Sequence, residues 1–376
     1  MADNRLNQLS RAGQSMWLDA ISRSLISSGK LERLAGLGIK GLTSNSAIFK
    51  NALISDPAYD VSIRELHSQG LGVFEIYDDL TCRDIQAASD VFLPFYEATE
   101  GLDGYVSIEI NPHLTANTQG TIDEAKRLAG KIGRPNVMIK IPATDHGFPA
   151  MERLIAEGIN VNATLVFCLR QYEDVTRAYM NGIKSLVKAG GDPRKVRSVA
   201  SIFVGVVDET VDDLIESLVR PMTDEGHKQD LRELKTRAAV ANATIIYKRF
   251  REILSGEQFR QIAQKGAGIQ RLVWASIGSR DPSVPDAKYV DELVARDTVC
   301  TVPENVLEAF IAQSQVQVKE GLGLESRDVE QVLGRLRRLW IDVNEICDRL
   351  LEDGVSAFRK SFDDLLSTIA AKTRKP

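Results

Sequence analysis

Eight short runs rich in β-branched and aliphatic residues alternate with amphipathic helical segments along most of the chain. Parallel strands need a long return connection, which a helix provides, so this alternation favours a parallel α/β sheet. Eight repeats favour a closed (β/α)8 TIM barrel, although an open doubly wound sheet stays possible at this level. The predicted strands, of which the first is the weakest, lie at 15–19, 39–44, 105–110, 136–141, 159–167, 197–204, 272–277 and 298–302.

The helical segments carry start signals and one apolar face. We expect a helix to open at Thr121, where Thr121 and Glu124 have capping-box spacing and Ala125, Leu128 and Ile132 follow on one face. The chain after Pro303 is predicted to be helical and to pack on the barrel as a C-terminal segment. Since no Pro/Gly/Ser-rich linker divides the chain, we expect one barrel domain over residues 1–376.

Gly36, Gly38 and Gly41 match the G-x-G-x-x-G spacing of dinucleotide-binding loops. That fingerprint requires a strand before it and a helix after it, whereas these glycines follow a helical pattern and precede a predicted strand. We therefore interpret them as a helix end and a turn, and expect no organic cofactor there.

Composition excludes several classes of function. A net charge of -5 argues against nucleic-acid binding, and four scattered cysteines suggest reduced thiols. No apolar run is long enough to predict a membrane span or a signal peptide, so we expect a cytoplasmic protein. Metal chemistry is disfavoured because the histidines show no paired ligand spacing; they are His67, His113, His146 and His227.

Polar residues stand at the carboxyl ends of nearly all the predicted strands. Active sites of barrels lie at that face, where residues from several strands converge. A barrel built only for stability would not need so many polar groups there, because unpaired buried charges are costly. The candidate site residues are Asp19, Asn45, Glu109, Lys140, Asn162, Thr164, Ser201, Ser276 and Arg280.

Lys140 is the most informative of these residues because it interrupts an apolar run. It shares its strand face with Met138, so its amine is expected to point into the barrel. Desolvation favours the neutral amine, which is the form that attacks a carbonyl. Alternatively, a lone lysine at a strand end extends to water or pairs with a carboxylate.

The neighbouring strands supply partners for an amine that forms an imine. Glu109 and Thr164 suit a proton relay through one water molecule. Asp19 is a candidate acid-base group, but an aspartate at such a junction is more often a helix N-cap. Asn45 and Asn162 have similar turn or capping alternatives.

Segments over nearly the whole chain resemble the transaldolase family in its longer bacterial form. The most specific is the long run that contains both Lys140 and Asn162. The matching segments are QSMWLDAISR, GLTSNSAIFKNAL, VSIEINPHL, NVMIKIPATDHGFPAMERLIAEGINVNATLVF and LVWASIGSRDP.

The resemblance implies a class I aldolase-type barrel that transfers a dihydroxyacetone unit between sugar phosphates of the pentose phosphate pathway, without metal or organic cofactor. It implies that Lys140 is the Schiff-base lysine and that Asp19 acts on the C4 hydroxyl. Glu109 and Thr164 would hold a catalytic water. Hydroxyls of the bound three-carbon unit would be held by Asn45, Asn162 and Ser201.

The chain departs from the family where an arginine usually binds the substrate phosphate after the sixth strand. Val206 stands there and supplies neither charge nor hydrogen-bond donors. Arg280 remains available for phosphate, close to Ser276, and Arg271 is a weaker candidate. Three smaller departures are Ser46 for a common proline, Cys168 for serine and Cys300 for asparagine.

These departures leave alternatives open. A specialised transaldolase or aldolase with an altered donor or acceptor would explain Val206. A simple aldolase or a sugar-phosphate isomerase could use the same lysine and carboxylates, and a binding protein without catalysis is disfavoured by the intact polar set. The sequence is compatible with a monomer or a homodimer.

Overall fold

A computed structural model of the protein describes residues 4–313, 317–322 and 327–374. Eight parallel strands hydrogen-bond in sequence order and the last pairs with the first, so the sheet is a closed barrel. The predicted (β/α)8 barrel and all eight predicted strands are therefore confirmed. The strands are β1 Gln14–Leu18, β2 Ile39–Thr43, β3 Tyr105–Glu109, β4 Val137–Pro142, β5 Val161–Val166, β6 Ser198–Phe203, β7 Arg271–Ala275 and β8 Thr298–Val302.

Helices surround the barrel and continue past its last strand. Along the described part of the chain they are α1 Arg5–Arg11, α2 Arg23–Ser27, α3 Lys30–Leu37, α4 Ser46–Ser55, α5 Ala58–Ser68, α6 Val73–Ala98, α7 Thr118–Ile132, α8 Gly147–Ala156, α9 Leu169–Lys188, α10 Gly205–Val219, α11 Glu225–Arg232, α12 Ala238–Ser255, α13 Glu257–Ala263, α14 Lys288–Glu292, α15 Glu304–Ala312, α16 Arg327–Arg338 and α17 Val343–Thr373. None of these helices is long and apolar enough to cross a membrane.

The strands are buried on both faces, as parallel strands covered by helices must be. Outward-facing side chains form one large hydrophobic cluster with the helices. Inward-facing side chains form a second cluster that fills the barrel; it consists of Trp17, Tyr105, Met138, Val199, Val273 and Val299.

A buried ion pair lies at the amino end of the barrel. Arg271 Nη1 is 3.1 Å from Asp103 Oδ1, and Arg271 Nη2 donates to Ser15 Oγ and to the carbonyl of Thr298. Asp103 also accepts from Trp17 Nε1 at 3.1 Å. Arg271 is the first residue of β7, so its side chain lies at the amino end and cannot reach the carboxyl end. The prediction that Arg271 is a weaker candidate for binding phosphate is therefore wrong.

The glycine-rich stretch is the turn that the sequence predicts. Helix α3 ends before Gly38, whose φ of 126° is readily adopted only by glycine. Gly41 lies within β2, where an added Cβ would come within 2.8 Å of the Trp17 side chain. The glycines therefore serve the turn and close packing.

The predicted start of α7 is wrong by three residues. The helix begins at Thr118, and Asn117 caps it by accepting from the Gly120 backbone N–H at 2.9 Å. Thr121 instead donates its hydroxyl to the Leu114 carbonyl. An asparagine one turn earlier thus takes the capping role that the Thr121–Glu124 spacing predicted.

The C-terminal helix α17 packs on the barrel at its carboxyl end, as expected. Cys347 Sγ donates to the Phe167 carbonyl just after β5, and Arg359 Nη2 donates to Thr115 Oγ1 after β3. Phe358 reaches the cavity at the centre of this face. The helix therefore lies across loops that surround the centre of the barrel.

Candidate active site

A cavity of about 170 Å³ lies at the carboxyl end of the barrel. Its walls come from the ends of seven of the eight strands, all except β3, and from α17. Six residues predicted from the sequence line it, namely Asp19, Asn45, Lys140, Thr164, Ser201 and Ser276. Glu109 and Asn162 are paired with Lys140 from β3 and β5, whereas Arg280 lines an adjoining cavity.

Lys140 points into the barrel and is only 5% exposed. Its Nζ donates to the Ser44 carbonyl at 3.1 Å and lies 3.4 Å from Glu109 Oε1. The alternative in which the amine extends to water is therefore wrong, while the pairing with a carboxylate is real. An amine with so few partners at the wall of a cavity can approach a bound carbonyl.

Glu109 is as buried as Lys140, and burial raises the pKa of its carboxyl although the Lys140 charge opposes this. Its Oε2 accepts from the Ser46 backbone N–H at 3.4 Å. The proline that is common at this position in the family has no N–H, so Ser46 adds a donor to the carboxylate. This is the one consequence of the Ser46 departure that the structure shows.

Two buried oxygens near the amine lack hydrogen-bond partners among the described residues. They are Glu109 Oε1 and Thr164 Oγ1. A buried polar group without a partner is costly, so such groups commonly mark functional sites. Both belong to strands that flank β4, which carries the lysine.

Asp19 is not a helix cap, because Ser22 caps α2. Its Oδ1 accepts from Thr43 Oγ1 at 2.6 Å, and this hydroxyl is also 2.6 Å from Thr301 Oγ1. Burial raises the pKa of the Asp19 carboxyl, against the attraction of the Lys140 charge. Asp19 therefore faces the cavity as a buried carboxyl within the electrostatic reach of the lysine.

The two asparagines differ in their local roles. Asn162 lies within β5, where its Oδ1 accepts from Ser201 Oγ at 2.7 Å and its Nδ2 donates to Ser107 Oγ at 3.1 Å. Its turn or capping alternative is wrong. Asn45 does cap α4, since its Oδ1 accepts from the Ile48 N–H, and it also lines the cavity.

A second, outer cavity of about 370 Å³ adjoins the first and shares Asp19 and Ser276 with it. The loop after β7 and the start of α10 form its walls, with Val206 and Arg280 among the lining residues. The Arg280 side chain is 87% exposed. Ser276 has a φ of 55°, unusual for a residue other than glycine, and such strain is commonly kept at functional sites.

Sequence reasoning missed several side chains at this site. Thr43, Thr301 and Ser107 carry strand-end hydroxyls, and the alternation of inward and outward residues could have found them. Phe203 and Phe358 complete the cavity wall. Phe358 had no detectable signal because a helix far along the chain brings it there.

No metal site was found in the described ranges, where no group of three or more His, Cys, Asp or Glu side chains could hold an ion. All four cysteines are free and buried: Cys300 and Cys347 have no exposed surface, and Cys82 and Cys168 are each 1% exposed. The polar groups of the cavity are therefore an amine, carboxylates, amides and hydroxyls.

Comparison with known proteins agrees with this geometry. The family model described as transaldolase/fructose-6-phosphate aldolase matches residues 16–369. A transaldolase of Trichodesmium erythraeum is 39% identical and covers 100% of this chain and 99% of the relative. A transaldolase of Saccharopolyspora erythraea is 40% identical, with 98% and 97% covered. The chain belongs to the transaldolase/fructose-6-phosphate aldolase family, which confirms the resemblance found in its sequence.

Proposed function

We propose that this protein is a transaldolase, a transferase that moves a dihydroxyacetone unit between sugar phosphates through an imine on Lys140. The donor would be sedoheptulose 7-phosphate or fructose 6-phosphate, and the acceptor glyceraldehyde 3-phosphate or erythrose 4-phosphate. The observation that carries the proposal is the buried Lys140 amine, 3.4 Å from Glu109 at the cavity wall. Full-length relatives that are named transaldolases support it.

Imine formation begins when Lys140 Nζ attacks C2 of the ketose. A C–N bond forms, and the C2 oxygen leaves as water after protons move from nitrogen to oxygen. Glu109 Oε1 and Thr164 Oγ1 can hold the relaying water, since neither oxygen has a hydrogen-bond partner among the described residues. Burial raises the pKa of the Glu109 carboxyl, so it accepts a proton in this relay more readily than an exposed glutamate would.

Carbon–carbon cleavage follows on the protonated imine. Asp19 takes the proton of the C4 hydroxyl, C4 becomes an aldehyde and the C3–C4 bond breaks. The electron pair of that bond moves to C3 and the iminium, giving an enamine on Lys140 while an aldose phosphate leaves. The raised pKa of Asp19 makes it a stronger base than an exposed aspartate.

The enamine must then wait for an acceptor aldehyde. Asn45 can donate through its amide nitrogen, because its oxygen is engaged in capping α4. The Asn162–Ser201 pair can contact a second hydroxyl of the three-carbon unit. Phe358 of α17 supplies an apolar ring to the cavity wall, which would help to exclude water from the intermediate. The acceptor then reverses the cleavage steps.

The outer cavity suits the phosphate end of the sugar. Barrel enzymes frequently bind phosphate at the loops that follow strands 7 and 8, and here the loop after β7 carries Ser276 and Arg280. The guanidinium supplies charge and several donors to a phosphate. We infer that Arg280 binds phosphate in place of the arginine that Val206 replaces.

We also infer that residues 1–376 act as one domain in the cytoplasm, as a monomer or a homodimer. The hydrophobic cluster that runs from the barrel strands into α17 supports a single domain.

The test is transfer in the presence and absence of an acceptor. With fructose 6-phosphate and erythrose 4-phosphate, we expect sedoheptulose 7-phosphate and glyceraldehyde 3-phosphate, measured by chromatography. Without acceptor, we expect no accumulation of free dihydroxyacetone. Steady release of dihydroxyacetone without acceptor would instead identify an aldolase.

A further inference from the structure

The outer cavity has an uneven charge. Of the described residues that line it, Arg280 is the only cation, whereas Asp19 and Glu209 are carboxylates. A dianionic phosphate bound there depends on the donors of one side chain. The position of that guanidinium then decides how well the phosphate is bound.

Glu209 holds Arg280 at two points. Glu209 Oε1 accepts from the Arg280 backbone N–H at 3.1 Å, and Oε2 lies 3.2 Å from Arg280 Nε. The carboxylate therefore fixes both the loop and the direction of the side chain. Neither Nη1 nor Nη2 of Arg280 hydrogen-bonds to a described residue, so these two nitrogens can donate to an anion in the outer cavity.

The contact between Glu209 and Arg280 joins two closely packed segments, helix α10 and the loop after β7. Glu209 lies in the first turns of α10, and the backbone N–H of Gly205, the first residue of that helix, donates to the Ser276 carbonyl at 2.8 Å. An added Cβ at Gly205 would come within 2.1 Å of the Gly278 carbonyl oxygen. Helix α10 and the loop after β7 are therefore in close contact, so Glu209 keeps a fixed distance from Arg280.

We propose that Glu209 is a positioning residue that holds Arg280 for the phosphate end of the acceptor. This inference rests on the proposed function, because it assumes a phosphorylated acceptor in the outer cavity. An exposed arginine has many rotamers, and binding must order them. Glu209 orders the Arg280 side chain before the substrate binds, but it also places one carboxylate near the phosphate.

The test compares D-glyceraldehyde 3-phosphate with unphosphorylated D-glyceraldehyde as acceptors, at saturating sedoheptulose 7-phosphate, and measures the erythrose 4-phosphate that is released with either acceptor. Glu209→Ala should raise KM for the phosphorylated acceptor about fivefold and leave kcat nearly unchanged. Its kcat/KM for glyceraldehyde should stay within about twofold. Glu209→Gln keeps an acceptor for Arg280 and should restore part of the affinity.

Two controls separate positioning from a structural role. Glu216→Ala removes another ion-paired glutamate of α10, bound to Arg232 and Lys235, and should leave both acceptors unaffected. In an Arg280→Ala background, Glu209→Ala should add no further loss.

Three results would overturn the proposal. A lower KM for the phosphorylated acceptor in Glu209→Ala would mean that the carboxylate repels phosphate. Equal losses with both acceptors would mean a structural role. An acceptor preference that Glu209→Ala leaves unaltered would also overturn this inference, while the proposed function would survive. If the wild type uses no sugar phosphate at all, the proposed function fails and this inference fails with it.

Discussion

Both ends of the barrel bury a cation beside a carboxylate, but the two pairs differ in how many partners they have. At the amino end, Arg271 lies 3.1 Å from Asp103, and both terminal nitrogens of the arginine and both carboxylate oxygens are hydrogen-bonded. At the carboxyl end, Lys140 lies 3.4 Å from Glu109, whose Oε1 lacks a hydrogen-bond partner within the described chain.

The number of hydrogen-bond partners indicates the role of each pair. Apart from Arg271 Nε, which has no hydrogen-bond partner within the described chain, the polar groups of the amino-end pair are hydrogen-bonded, and such a pair keeps one arrangement of the side chains around it. A pair with few partners keeps hydrogen-bonding capacity for a ligand, and such under-satisfied titratable groups are typical of active sites. Substitutions at the two ends should therefore affect different quantities.

The largest effect is expected for Lys140→Met. Loss of the amine removes the imine pathway, so kcat/KM for transfer should fall by about 10⁴-fold or more. The coupled assay of glyceraldehyde 3-phosphate release measures this. Lys140→Met also removes the ion partner of the buried Glu109, and protonation of that carboxyl, whose pKa burial raises, should limit the loss of stability. Substantial remaining transfer activity would contradict a catalytic role for the pair at the carboxyl end.

The next effect is expected for Arg271→Met at the amino end. This change leaves Asp103 as a buried carboxylate without its ion partner. It also removes the arginine nitrogens that donate to Ser15 Oγ and to the Thr298 carbonyl. The free energy of unfolding should fall by about 3 kcal/mol, measured by urea denaturation. The folded fraction should retain nearly normal kcat. A loss of kcat at unchanged stability would contradict the structural role.

A smaller effect is expected in the pH dependence of stability at Asp19. Burial raises its folded pKa above 3.8, so its stabilising contribution is complete below pH 3.8 and is lost as pH rises through the folded value. The free energy of unfolding of the wild type relative to Asp19→Asn should therefore fall with rising pH.

Asp192→Asn is the matched control with the opposite sign. The hydrogen bonds from Arg194 lower the pKa of Asp192, so its contribution is present above its ordinary value of 3.8 and is lost as pH falls. Urea denaturation across the pH range measures both differences. The same sign for the two variants would mean that Asp19 is not in a desolvated site.

Much of the fold could be predicted because each strand carries its own local signal. The run from Val137 to Ile141 is apolar on both faces, as a covered parallel strand must be, and the polar break at Lys140 marks the strand end that faces the cavity. Lys140 and Met138 are two residues apart and share one face of the strand, which predicted that the Lys140 side chain points into the barrel. Met138 belongs to the interior cluster, which confirms that this face points inward.

The remaining features depend on contacts between distant segments. Whether Arg271 belongs to the top or the bottom of the barrel depended on where β7 begins, and element ends are the least certain part of a sequence prediction. Asn117 caps α7, whereas the Thr121–Glu124 spacing predicted a cap one turn further along the chain. Phe358 reaches the cavity only because α17 packs across the barrel.

The central claim is that Lys140 forms the imine, and borohydride trapping tests it most directly. Fructose 6-phosphate and borohydride should inactivate the enzyme and leave a reduced three-carbon adduct on the peptide that contains Lys140, identified by mass spectrometry. Lys140→Met should give no adduct. An adduct on another lysine, or full activity after trapping, would contradict the account.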